Sequence, residues 1–395
     1  MTIVILLLGF AFLAYFQPKF ALGVILALLP TYMFRWQMQG VPTTFLELLL
    51  LTYFAVTFLK HFADLHELKK LGRINWLILL FVAAGIISTL VSPDKRSALG
   101  ILKAFIVEPV MLFYAVRLTI KRAEDLTTPL NLLFIGAILV SLFGIFQYVT
   151  YIRLPLKFWG TGDEVERIVS FFDYPNALAL YLGPLVSFFL AGFLFDEKIL
   201  NRKNLAAGLV VMLIALFLTF SRGAWLGVAL TATILVFLKY PFKKVLAFVA
   251  ILAILGLAVP QIRSRLGLAA HDASSSARVN LMLAGYEKIQ DSPILGNGLS
   301  GFPTTLAKQH FQGEILNYPH NIFFNFWVEM GLLGLISFFG IIFVSAKRYD
   351  THRTWYTTAA VAYMFTLILH GLVDVPYFKN DLSILFWFMI SVFYI

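Results

Sequence analysis

The chain has 395 residues, of which 60% are hydrophobic and 13% charged. Soluble domains carry roughly 25% charged residues, so this composition argues against an ordinary globular enzyme and for a polytopic membrane protein. The absence of cysteine excludes disulfides, thiolate catalysis and cysteine-ligated metal. The net charge of +10 lies in short loops between apolar runs, as positive-inside topology requires and a nucleic-acid-binding surface does not.

In chain order, apolar runs fall at about 2–16, 19–34, 42–59, 74–91, 101–117, 128–150, 175–195, 205–219, 224–239, 245–259, 321–344, 354–374 and 381–395. They predict an all-α, polytopic membrane helical bundle of about 12–13 transmembrane helices. No cleavable leader is expected, because Met1 is followed directly by apolar residues. Lysine and arginine concentrate in 60–73, 117–127, 196–204, 239–244 and 345–353, which alternate in register and are assigned to the cytoplasm. The segments 92–100, 151–174, 220–223, 260–320 and 375–380 then face outward. This gives one integral-membrane domain: helices over 1–259 with a smaller outer loop at 151–174, a large outer loop at 260–320, and helices over 321–395. Within the large loop a helix is expected from about 275 to 290, capped by Ser274–Ser276. Asp291-Ser292-Pro293 ends it, and Gly296-Asn297-Gly298 marks a tight turn.

Where the large loop meets the next apolar run stands Asn317-Tyr318-Pro319-His320-Asn321. An imidazole buried at a helix start is expected to be neutral and able to accept a proton. If the helix runs on unbroken, Gly331 lies about 20° round from His320 and leaves an open groove on that face. Arg222, in Phe220-Ser221-Arg222-Gly223-Ala224-Trp225-Leu226-Gly227, sits in a very short outward turn at a helix start. A guanidinium beside free backbone amides suits a phosphate at headgroup depth. The alternative is an interfacial arginine with Gly223 and Gly227 as small packing residues. Arg278 and Arg167, in the two longer outer loops, could join Arg222 around a diphosphate or be ordinary solvated charges. His370 and Asp374 are four apart and could pair structurally. Glu329 falls on the far side of the helix from His320 and is expected to tie it to a neighbour. Asp163, Glu164 and Glu166 fit a solvated acidic loop better than a metal site.

Three pieces together resemble the O-antigen ligase and polymerase superfamily of bacterial membrane glycosyltransferases. They are Arg222 with Leu226 in Thr219–Leu226, Ser276-Ala277-Arg278 through Pro293–Gly298, and His320 followed by ten residues and Gly331. Arg167 with Asp173-Tyr174-Pro175-Asn176 is similar to the family less sharply. The resemblance implies a fold like that of other polytopic lipid-sugar glycosyltransferases (GT-C-like) in the bacterial inner membrane, with the active site on the extracytoplasmic face. It implies transfer of a glycan from undecaprenyl diphosphate to an acceptor hydroxyl on a glycolipid or glycan, as in lipopolysaccharide or other cell-envelope polysaccharide synthesis. His320 is then the general base; Arg222, Arg278 and Arg167 hold the diphosphate, supported by Asn321, Gly331, Ser221 and Asn176. No cofactor, metal or nucleic acid is required, and inversion at the anomeric carbon is expected. The same residues would serve a repeat-unit polymerase. A lipid-linked glycan transporter is the alternative from another class, but it predicts charges lining a mid-membrane path.

Overall fold

The computed structural model describes residues 2–38, 41–159, 165–195, 201–258, 273–308 and 316–395. Among the described residues the architecture is all-α, apart from one two-stranded hairpin. The helices are α1 (Thr2–Phe16), α2 (Pro18–Ala27), α3 (Phe45–Lys60), α4 (Arg73–Val91), α5 (Lys95–Ile101), α6 (Glu108–Thr119), α7 (Thr127–Thr150), α8 (Pro175–Phe195), α9 (Arg202–Leu218), α10 (Arg222–Lys239) and α11 (Phe242–Ala258). They are followed by α12 (Ala273–Asp291), α13 (Gly301–Lys308), α14 (Ile322–Thr351), α15 (Trp355–Gly371) and α16 (Asn380–Val392).

Among the described residues, six helical stretches are long and apolar enough to cross a membrane, and seven if the bent pair Phe45–Lys60 and Phe62–Leu71 counts as one span. Most other expected spans form shorter apolar helices, such as α9 and α15 at 17 residues each. Seventeen residues make about 25 Å of helix against a hydrocarbon core of roughly 30 Å. The apolar run 19–34 is not one helix. Pro18 opens α2, Pro30 falls in the 3₁₀ turn Leu29–Met33 that follows it, and the hairpin strands β1 (Arg35–Met38) and β2 (Val41–Thr44) come next. The hairpin is antiparallel, with Arg35 opposite Thr44 and Trp36 opposite Thr43. Thr44 then caps α3 by accepting from the Glu47 amide at 3.1 Å.

The chain divides into two compact units. The first comprises 1–136, 283–353 and 377–395. Its core is aromatic: Phe326 stacks on Phe338 with ring centroids 3.9 Å apart, and Phe338 on Phe386 at 4.9 Å. Between α5 and α6 the helix widens into a π turn over Leu102–Val107. Pro109 explains one consequence. The α-helical donor to the Phe105 carbonyl would be residue 109, which has no N–H. The hydroxyl of Tyr377 donates to that carbonyl at 2.6 Å, and Trp387 Nε1 donates to the same hydroxyl at 3.0 Å.

The second unit comprises 137–282 and 354–376. Its centre is α8, almost wholly buried, with α10 and α15 packed against it. In lipid, helices associate through close packing and interhelical hydrogen bonds, and this unit uses both. Thr366 Oγ1 donates to Ser187 Oγ at 2.7 Å and lies 2.7 Å from Thr231 Oγ1, so one buried hydroxyl seam joins the three helices. Gly183 and Gly227 face Val228 and the Thr366 backbone at ordinary contact distance. Outward faces such as Trp76, Leu79 and Leu90 on α4 remain exposed and apolar, as lipid contact requires.

Candidate active site

In the second unit the turn between α9 and α10 is only three residues long. Phe220 takes a left-handed φ of 49° there, which reverses the chain between helices. Ser221 is the N-cap residue, with its amide 3.3 Å from Thr219 Oγ1, and half-buried Arg222 is the first residue of α10. The turn is clamped from outside: Trp225 stacks on Phe217 at 5.2 Å and donates to the Leu216 carbonyl at 3.2 Å. From the segment before α8, Arg167 Nε donates to the Thr219 carbonyl at 2.8 Å, and the Ile168 amide to the Leu218 carbonyl at 3.2 Å.

Arg167 also donates from Nη2 to Asn176 Oδ1 at 2.9 Å, and Asn176 Nδ2 donates to Asp374 Oδ2 at 3.4 Å. Asp374 follows α15, and its other oxygen accepts from the Val375 amide at 2.9 Å. Gly223 closes the group, since a β-carbon there would stand 2.9 Å from the His370 ring. One end of this unit therefore gathers Arg167, Asn176, Arg222, His370 and Asp374. Asp374 was marked in the sequence only as a structural partner of His370; its bond to Asn176 has no sequence signal.

In the first unit, His320 is not helical. Its φ of 51° places it in the left-handed region, where histidine is among the more tolerated residues but still strained. The helix begins after it: Asn321 is the N-cap, and its Oδ1 accepts from the amides of Phe323 at 2.9 Å and Phe324 at 3.1 Å. On the other side Pro319 is buried against Gly285 of α12, where a β-carbon would come within 2.8 Å of the Pro319 ring. Tyr318, which the sequence reading passed over, donates its hydroxyl to the Phe378 carbonyl at 3.1 Å and packs on the Phe378 ring at 5.8 Å. Burial, then the nearby Glu329 carboxyl, pushes this phenol well above its ordinary range, so it stays a donor. His320 is thus held between a buried proline, a tethered tyrosine and a capped helix.

Gly331 corrects the helical-wheel expectation. α14 is broken at Gly331, whose φ of 64° and ψ of −169° are open essentially only to glycine. His320, outside the helix, and Gly331, at its break, do not share one helical face. Nor is there an open groove at the glycine. A β-carbon there would stand 2.6 Å from Leu295 C and 2.7 Å from Ile294 C. The loop 292–298 docks into the break and takes up the backbone groups it frees. The Leu332 amide donates to Ile294 O at 3.1 Å, the Asn297 amide to Val328 O at 2.6 Å, and Ser88 Oγ to the Glu329 carbonyl. Glu329 does tie the helix to a neighbour: its Oε2 accepts from the Ser300 amide at 2.5 Å, at the start of α13. The large-loop helix expected at about 275–290 is present as α12. His271, His310, Asp163 and Glu164 lie outside the described residues. Among those that are described, no group of three or more metal-ligating residues occurs.

Residues 207–339 match the model of the family described as O-Antigen ligase, a segment that contains Arg222, Arg278, His320 and Gly331. No curated protein matches the chain.

Proposed function

We propose, from a multi-pass membrane chain whose 207–339 segment matches the O-Antigen ligase family, that the protein transfers a lipid-linked glycan to an acceptor hydroxyl. The donor is a glycan on undecaprenyl diphosphate, and the acceptor a glycolipid or glycan, at the outer face of a bacterial cytoplasmic membrane. The observation that carries the reading is that the family match contains a strained histidine fixed at a helix start and, in the other unit, Arg222 beside the turn that Arg167 holds.

In the proposed step, His320 takes the proton from the acceptor hydroxyl as its oxygen attacks the anomeric carbon. The bond from that carbon to the diphosphate oxygen breaks, and the electron pair leaves with the lipid diphosphate. Arg222 and Arg278 stabilise the growing negative charge. Arg167, already bonded to the Thr219 carbonyl and Asn176, adds its charge to the same end while holding the Arg222 turn. A single displacement inverts the anomeric centre, and a lipid diphosphate leaves without nucleotide, cofactor or metal. Asn321 and Gly331 support His320 through the cap and the docked loop; Ser221 and Asn176 support Arg222 and Arg167.

The test uses purified protein in detergent with a defined undecaprenyl-diphosphate oligosaccharide, with and without acceptors, resolved on a gel. One shifted band that requires an acceptor identifies a ligase, and a ladder from donor alone identifies a polymerase. His320→Ala is expected to lose about 10²-fold or more in rate. Unchanged transfer by that variant would remove the general-base assignment, and no product under any condition would remove glycosyl transfer.

A further inference from the structure

The basic end of the first unit holds a pair of guanidiniums with no bonded carboxylate among the described residues. Arg117 lies in the last turn of α6 and Arg348 in the last turn of α14. Both are partly buried, and Nε and Nη1 of Arg117 are enclosed without a hydrogen-bond acceptor. Arg348 donates Nε to the Phe393 carbonyl at 3.0 Å, and its guanidinium carbon stands 4.6 Å over the Tyr394 ring. The Tyr394 hydroxyl lies 3.4 Å from Ser345 Oγ, and its ring packs at 6.0 Å on Phe113, one turn before Arg117 on the same face of α6.

Four acids of the neighbouring basic loops are paired with other bases. Asp64 pairs with His61 at 2.9 Å, Glu67 with Lys70 at 2.7 Å, Asp350 with Arg353 at 4.0 Å, and Asp125 with Lys19. The negative ends of α6 and α14 favour one cation each, which explains why basic residues stand here. They do not explain two like charges brought together, or enclosed N–H groups left without acceptors. Each such group forfeits its hydration without recompense, and the loss is larger when the group is charged. An anion with several oxygens removes both costs, and a phosphate fits the guanidinium fork in particular.

We propose that Arg117, Arg348 and Tyr394 form a binding site for a phosphate-bearing anion, occupied by the headgroup of an anionic phospholipid. The neighbouring exposed Lys121, Arg122 and Lys347 mark this end as the cytoplasmic one and draw acidic headgroups to it. The site is independent of the proposed glycosyl transfer and remains if that reading fails.

The experiment is native mass spectrometry on the delipidated full-length protein, titrated with phosphatidylglycerol or phosphatidylcholine. One phosphatidylglycerol is expected to bind about tenfold more tightly than phosphatidylcholine, a difference of about 1.4 kcal/mol. Arg117→Gln with Arg348→Gln should abolish that preference, whereas Arg117→Lys with Arg348→Lys should keep part of it. Equal binding of the two lipids by the wild-type chain overturns the lipid occupant without any variant, so misfolding cannot mask the result, and the absence of any phosphate effect as well overturns the site. A preference that survives the glutamine pair also overturns it. In a parallel arm, inorganic phosphate that raises the melting temperature of the wild type but not the glutamine pair, with no lipid preference, upholds the phosphate chemistry and replaces the lipid by a soluble source.

Discussion

Gly331→Ala is the sharpest test of how His320 is held, because it alters no chemical group. Alanine at φ 64° and ψ −169° occupies a region closed to side chains, at a cost of order 1–3 kcal/mol. Its β-carbon would meet Leu295 C at 2.6 Å and Ile294 C at 2.7 Å, backbone atoms that cannot rotate aside. Relief requires lifting the 292–298 loop, which breaks the Leu332–Ile294 and Asn297–Val328 bonds. Each contributes about 1 kcal/mol, so the total lies near 3–5 kcal/mol. Gly340→Ala on the same helix is the control. Its β-carbon meets nothing nearer than a Leu77 methyl at 3.2 Å, and it gains up to about 1 kcal/mol of helix propensity. Thermal unfolding of both variants in one detergent should show a fall of several degrees for Gly331→Ala and little change for Gly340→Ala. A Gly331→Ala protein with the wild-type midpoint would refute the docked-loop account of the glycine.

Four further outcomes follow from the same geometry. Asn321→Ala should cost about 1 kcal/mol by removing the cap of α14, and Asn321→Asp should restore most of it, as read from melting temperatures. Tyr318→Phe keeps the ring and loses the bond to the Phe378 carbonyl; transfer rates should fall severalfold while donor affinity holds, and an equal loss in both would argue against a positioning role. The raised Tyr318 phenol makes the fold favour its neutral form, so this contribution is complete below the free value of about 10 and is lost as pH rises past it. Melting against pH should therefore fall less steeply above about 10 in Tyr318→Phe than in wild type. Lys103→Met leaves the buried Glu47 carboxylate without its partner at 2.7 Å and should lower stability by about 2–3 kcal/mol, taken at the low end because Lys103 is a third exposed. The double variant with Glu47→Gln should recover most of that loss.

The all-α membrane architecture could be read from the sequence because lipid leaves the chain few options. Apolar runs must become helices, and the helix over 273–291 was announced by its serines and by Pro293. The hairpin was not legible because its first strand, Arg35–Met38, falls between two apolar runs and its second, Val41–Thr44, overlaps the start of the run at 42–59. At the site, residue types and end positions were legible: a histidine at a helix start and an arginine in a three-residue turn. The spacing from His320 to Gly331 was legible as a pattern but misread as geometry, because a helical wheel presumes that the helix continues.

The physical reason for that error bears on what the glycine does. A break in a membrane helix frees carbonyls and amides that lipid cannot satisfy, so it persists only where other backbone supplies partners. Here the partners come from 292–298 and from Ser88, far from Gly331 in sequence. The same loop leads through Ser300, which donates to Glu329, into α13, and Gly285 on the preceding helix seats Pro319. The contacts thus link the glycine to the His320 segment through the 292–298 loop and not through a shared helical face. This separates two groups of variants: Gly331→Ala, Asn321→Ala and Tyr318→Phe should impair transfer in proportion to their effect on folding of this loop. His320→Asn, a residue that tolerates the left-handed φ of 51°, should change melting little and lose most of the rate. If Gly331→Ala removed activity at an unchanged melting temperature, the glycine would have a direct role at the substrate, and the loop-mediated account would fail.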